Sequence, residues 1–154
     1  METQQPSARR KVLIVDDNAD AALTLSMCLS AYGHETAVAY GGVQGIELAL
    51  AFEPDIIFLD LGMPEMDGYQ VAAALRQIPH LSRVFIAALT GWNDEKTRNQ
   101  VVLFGFNKHL TKPAKVEVVL DVIEHVPVSH QRRPAVRGLP AISPKLLGMK
   151  ERSS

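Results

Sequence analysis

The stretch 56–68, IIFLDLGMPEMDG, runs four apolar side chains into a carboxylate, Asp60, and then into a loop punctuated by Gly62, Pro64 and Gly68. Consecutive apolar residues without polar alternation describe a strand covered on both faces, the pattern of a parallel sheet sheltered by helices. An ionised carboxylate is costly to bury unless a cation compensates it. Asp60 is therefore expected at the exposed carboxyl end of this strand, where the loop opens to water.

Outward from this strand, short apolar runs alternate with longer amphipathic segments. KVLIV (11–15) reads as a buried strand, followed by a helix on which Ala21, Leu25, Cys28 and Leu29 recur until Gly33 stops it. ETAVAY reads as a strand and VQGIELALAF as a helix ending before Pro54. After DIIFL come the helix YQVAAALRQI, the strand RVFIAAL (83–89), the helix DEKTRNQVVLFG (94–105), the short strand KHL and the helix KVEVVLDVIEHV (115–126). Five βα units with right-handed crossovers make an α/β fold, an open, doubly wound parallel sheet. Such sheets bind ligands beyond the carboxyl ends of their strands, near the switch point in strand order.

That rim collects the polar residues. Asp16 and Asp17 follow the first strand, Asp60 ends the third, Thr90 the fourth, and Lys112 lies just beyond the fifth. Crowded carboxylates repel one another, and a divalent cation relieves the repulsion; oxygen ligands with room for water suit Mg²⁺. The competing reading is that Asp17 or Asn18 serves only as a helix N-cap. It accounts for one residue, not for the set.

Residues 11–126 resemble the receiver domain of two-component response regulators. The motifs VDDN, LDLGMPEMDGY, ALTGW and TKP carry the likeness, in the family's order and spacing. The resemblance implies a flavodoxin-like sheet of order 2-1-3-4-5 with Asp60 as phosphoacceptor. It makes Asp16, Asp17, Asp60 and the carbonyl of Gly62 the Mg²⁺ ligands, with Mn²⁺ as a substitute ion. Thr90 becomes the switch hydroxyl, and Lys112 the ammonium that meets the phosphoryl group, beside Pro113 in a cis peptide bond. The phosphodonor would be a histidine kinase or a histidine phosphotransfer protein. The chain would act as a signalling module, not a metabolic enzyme, and switch a downstream protein target or a self-dimer through the 94–126 face. Val101, Val102, Leu103, Phe104, Phe106 and Val116 are the apolar candidates there, with most of them expected in the core.

The sequence departs from the family pattern in two places. His109 stands three residues before the lysine, where typical receivers carry a Tyr or Phe that swings inward, so its switch role is set against that of a half-exposed strand residue. Ala114 replaces a common Phe after Lys112-Pro113, which loosens packing beneath the last helix. Gly91 leaves room for a phosphoryl group, and Gly62 offers no side chain to block an attacking water. Trp92 reads either as a partial cover for the site or as a surface residue, and Met66 as tucked inward. GGVQG at 41–45 is not GxGxxG and serves a turn, so no dinucleotide cofactor is expected. His34, His80, His125 and His130 have no metal-ligand spacing and read as surface residues.

The chain has 154 residues and a formal net charge of -1. Residues 1–126 hold ten Lys and Arg against sixteen Asp and Glu, whereas 127–154 hold six against one. Residues 1–10 read as a flexible N-terminus. The stretch 127–154, with Pro127, Pro134, Pro140 and Pro144, reads as a basic disordered tail. It lacks a helix-turn-helix pattern and interleaved aromatics, so specific nucleic-acid binding is not expected. No stretch approaches the roughly 20 apolar residues of a membrane span, and the single Cys28 reads as a small buried hydrophobe in a reducing compartment. A cytoplasmic protein is expected. A haloacid-dehalogenase-like phosphatase is the rival class, but it places its nucleophile in a DxD pattern on the first strand. A terminal receiver of a hybrid histidine kinase is the alternative arrangement; the initial Met and the tail favour a stand-alone regulator.

Overall fold

Each β-branched or aliphatic run identified above becomes a strand, and the alternation of side chains across the backbone splits its residues between two cores. In the computed structural model, which describes residues 8–127, the strands are β1 (Lys11–Val15), β2 (Glu35–Ala39), β3 (Ile56–Asp60), β4 (Phe85–Thr90) and β5 (Lys108–Thr111). They form one parallel sheet of order β2-β1-β3-β4-β5. The helices are α1 (Ala19–Ala31), α2 (Gly42–Phe52), α3 (Gly68–Gln77), α4 (Glu95–Leu103) and α5 (Val116–Glu124), with a short 3-10 turn at Pro79–Leu81.

Leu13, Val15, Ile57, Leu59, Ile86 and Ala88 face one layer, where Ala49, Val71, Leu75 and Val101 of α2, α3 and α4 cover them. Val12, Ile14, Ile56, Phe58, Ala87 and Leu89 face the other, beneath Ala22 and Leu29 of α1 and Val119, Val122 and Ile123 of α5. The period-two alternation of one sheet thus builds both cores. All of β3 is buried because it lies at the centre of the sheet with helices on both sides.

Several sequence expectations shift at this level. The buried stripe of α1 runs through Ala22 and Leu29, while Ala21 is exposed and Cys28 only half-buried. His34 is buried, contrary to the surface reading: its Nδ1 accepts the Arg10 N–H at 3.1 Å, an interaction across 24 residues that spacing alone does not reveal. Gly33 does end α1, with φ of 97° and its N–H bonded to the Ser30 carbonyl. Met66 packs against the first core, where a Cβ on Gly42 would fall 2.9 Å from its side chain. No helix among the described residues is long and apolar enough to cross a membrane. Of the expected flexible N-terminus 1–10 and basic tail 127–154, residues 1–7 and 128–154, with His130, lie outside the described residues, and Arg10 is buried.

Candidate functional site

The chain moves outward from β1 to β2 and then crosses to β3 on β1's other side, so a crevice opens between the carboxyl ends of β1 and β3. Asp16 and Asp60 face it from these adjacent strands. Asp16 takes its place as its own N–H bonds to the Ala39 carbonyl, and its Oδ1 accepts the Asn18 N–H at 3.0 Å. Asn18 in turn caps α1, its side chain accepting from Ala21. Capping therefore falls to Asn18 and leaves the carboxylates of Asp16 and Asp17 to other work.

The Asp16, Asp17 and Asp60 carboxylates offer oxygens that all lie within 4.8 Å of one another. Like charges at that separation cost roughly 3 kcal/mol per pair at an effective dielectric of about 20. Lys112 offsets part of this: its Nζ lies 3.2 Å from Asp60 Oδ1 and 3.4 Å from Asp16 Oδ2. Its backbone N–H is tied to the Thr90 carbonyl at 2.8 Å, which fixes the start of the side chain. The Lys112–Pro113 bond is cis.

Asp60 is only 5 % exposed and Asp16 only 3 %, while Asp17 is exposed. The expectation that Asp60 opens to water is corrected here. It is covered by the rim, and its Oδ1 is compensated by Lys112 and by the Gly62 N–H at 3.2 Å. Burial raises the Asp16 pKa above the usual carboxylate value, and Asp60 adds to the rise, against the Asn18 N–H and Lys112. Three hard oxygen donors, one of them exposed and able to share its ion with water, fit Mg²⁺ better than a soft metal.

The loop after β3 is shaped by Gly68, where a Cβ would lie 2.5 Å from the Asp60 carbonyl oxygen and 2.8 Å from the Leu61 Cα. Only glycine lets α3 start so close beneath the acidic site. By contrast, a Cβ at Gly62 or Gly91 would meet nothing within 4 Å, so both leave open space on the rim. Thr90 is buried, and its Oγ1 accepts the Trp92 N–H at 3.0 Å. The Trp92 side chain is 70 % exposed and takes the surface role of the two readings above. His109 is half-buried, with Nε2 3.1 Å from the Trp92 carbonyl oxygen.

Beside the acidic site runs an open groove of about 790 Å³ between α1 and the start of α5, lined among others by Asp16, Asp20, Leu25, Cys28, Lys112 and Ala114. The sequence flagged Ala114 but not the groove, which depends on how α1 and α5 pack. Among the candidates of the 94–126 face, Val101 and Phe106 are core, whereas Val102 and Leu103 are 74 % and 79 % exposed. Phe104 lies between these extremes and packs on Tyr69, ring centroids 5.1 Å apart.

The family model described as the response regulator receiver domain matches residues 12–124. The chain is 32% identical over 110 residues to the DNA-binding dual master transcriptional regulator RpaA of Synechocystis, covering 71% of this chain and 46% of that protein. It is 29% identical over 116 residues to protein PilH of Pseudomonas aeruginosa, covering 75% of this chain and 96% of the other. The crystal structure of the Vibrio cholerae chemotaxis protein CheY4 superposes with a TM-score of 0.74 at 28% identity, covering 78% of this chain and all of that one. The chain therefore spans less than half of RpaA but nearly the whole of PilH.

Proposed function

This chain belongs to the response regulator receiver family of two-component signalling, and from that premise we propose that Asp60 is its phosphoacceptor and that phosphorylation switches its protein contacts. The observation that carries the reading is the meeting of three carboxylates with one ammonium at the switch point of the sheet, Lys112 Nζ lying 3.2 Å from Asp60 Oδ1.

The donor is a phosphohistidine on a histidine kinase or phosphotransfer protein. An Asp60 oxygen attacks phosphorus in line with the P–N bond. A P–O bond forms, the P–N bond breaks, and the electron pair returns to the imidazole nitrogen. Lys112 stays protonated and passes from a carboxylate partner to the oxygens of the phosphoryl group. Its pKa supports that role: burial alone would lower it, but Asp60 and Asp16 outweigh burial and hold it above the usual lysine value. Asp16, Asp17, Asp60 and the Gly62 carbonyl would hold Mg²⁺, with Mn²⁺ as a substitute, and the bound ion supplies positive charge against the phosphoryl oxygens. Thr90 then gains an anionic acceptor for its hydroxyl proton, and its loop moves inward.

Little further chemistry is needed, so the chain acts as a stoichiometric acceptor and not as a turnover enzyme. The exposed end of α4, Val102 and Leu103, with Val118 of α5, offers the apolar surface on which a downstream protein or a second copy docks. The test is labelling with acetyl phosphate and Mg²⁺ followed by mass spectrometry. Wild-type chain should gain one phosphoryl group on Asp60, and Asp60→Asn none. Persistent labelling of that variant, or repeated turnover of small phosphate esters, would refute the assignment.

A further inference from the structure

α5 carries its charges in an unfavourable order. Glu117, Asp121 and Glu124 stand at i, i+4 and i+7 on its outer face, all exposed, and its last turn holds no basic side chain. Acidic neighbours at those spacings repel, and the two nearer the C-terminus also meet the negative end of the helix dipole. Arg10 reaches the final carbonyls from the buried side, and His125 stands 3.7 Å from Asp121. At its other end the stripe leads to the open groove of about 790 Å³ against α1. Leu25, Cys28, Ala114 and Val116 lie half-buried along that groove, together with Asp16 and Asp20. The one ammonium there, Lys112, is already held by Asp16 and Asp60.

The chain itself continues with a segment of matching chemistry. Beyond Pro127 come Arg132, Arg133 and Arg137, and then LPAISPKLLGM (139–149), rich in large aliphatic residues. α5 is only about 14 Å long, whereas the twelve residues from Pro127 to Leu139 span up to about 40 Å. We propose that residues 139–149 of this chain seat in the groove between α1 and α5, held over the stripe Glu117, Asp121 and Glu124 by Arg132, Arg133 and Arg137. The stripe attracts a basic approach, and the half-buried side chains of the groove give aliphatic residues a surface to cover. A segment tethered so closely is present at an effective concentration on the order of a millimolar, so weak affinity suffices to keep it seated. It then covers the α1 side of the acidic rim, since Asp16 and Lys112 line the same groove. This contact is separate from the acceptor chemistry of Asp60 and does not depend on it.

Cys28, the only cysteine of the chain, lines the groove and reports its cover. Its alkylation by N-ethylmaleimide, an uncharged reagent, is timed by mass spectrometry on the full 154-residue chain. Wild type is compared with Leu146→Ser/Leu147→Ser, which weakens the apolar seat, and with Arg132→Gln/Arg133→Gln/Arg137→Gln, which removes the charges held over α5. Neither variant alters a residue of the two cores. Each should speed alkylation by about three- to tenfold, and high salt should bring wild type toward the arginine variant. A synthetic peptide of residues 139–150 should slow alkylation again in the leucine variant. Equal rates in all three chains would overturn the seat and leave the groove to another protein. Protection of wild type that fades on dilution would assign the segment to the groove of a second copy, which overturns the intramolecular seat as well.

Discussion

The Lys112 ammonium is shared between two buried carboxylates, and removing it leaves Asp16 and Asp60 facing each other across the crevice. Lys112→Met should lower stability by about 1–3 kcal/mol without metal, less than for a fully buried pair because a third of the lysine side chain is exposed. Thermal melts with and without Mg²⁺ check this: the ion should restore more stability to the variant than it adds to wild type, because it takes over the neutralisation. Gly68→Ala should cost about 1–3 kcal/mol in a urea titration, since its Cβ would press on the backbone of Asp60 and Leu61 and not on a side chain that can turn away. The acidic residues were legible from their places at strand ends. The bond from His109 to Trp92 was not, because the direction of one loop carbonyl follows from three-dimensional packing.

At the scale of elements, the five helices are held unequally. α3 begins with a full capping box, Asp67 accepting from the Gln70 N–H while the Gln70 side chain accepts from the Asp67 N–H. It is also bound at its far end, where Arg76 donates to the carbonyls of Gly105, Ser82 and Val84 and to Asn107 Oδ1. This arginine stitches α3 to the loops before β4 and β5. α4 buries only Thr97 and Val101, and its last turn exposes Val102 and Leu103. Amide exchange should therefore be faster along α4 than along β3 or α5. Val101→Ala should cost about 1–3 kcal/mol, whereas Leu103→Ala should change stability by less than about 0.5 kcal/mol and still weaken phosphorylation-dependent association, as read by analytical ultracentrifugation. A helix with so few anchors is suited to move when the Thr90 loop does.

Across the whole molecule, the two ends of the described chain are clasped at the edge opposite the acidic site. Arg10 is buried, and its guanidinium donates to the Val126 carbonyl at 2.7 and 3.1 Å and to the Glu124 carbonyl at 3.5 Å, where it opposes the negative end of α5. His34 holds the Arg10 N–H, so its ring is neutral at Nδ1. Burial lowers the His34 pKa below the usual 6.5, the Arg10 charge adds to that, and Glu124 opposes it. The neutral form is thus favoured in the fold. Its stabilisation is full above pH about 6.5, where the unfolded state is also neutral, and is lost as pH falls below that value toward the folded pKa. Melting temperature should decline over that interval, and His34→Gln should flatten the decline.

The sequence by itself determined the number of strands and their alternation with helices, the two-sided burial of the sheet and the residues at its carboxyl rim. Those properties are local: they follow from runs of apolar side chains, from the alternation of a strand and from the turn residues that end each element. Resemblance to receiver motifs added the strand order and the named roles. Only the tertiary structure decided that Asp60 is covered and not open to water, that His34 is buried against Arg10, and that His109 reaches the Trp92 backbone. Each of these joins segments 17 to 52 residues apart through distances of a few ångströms, and a linear pattern carries no record of which side chains converge once the sheet has closed its register.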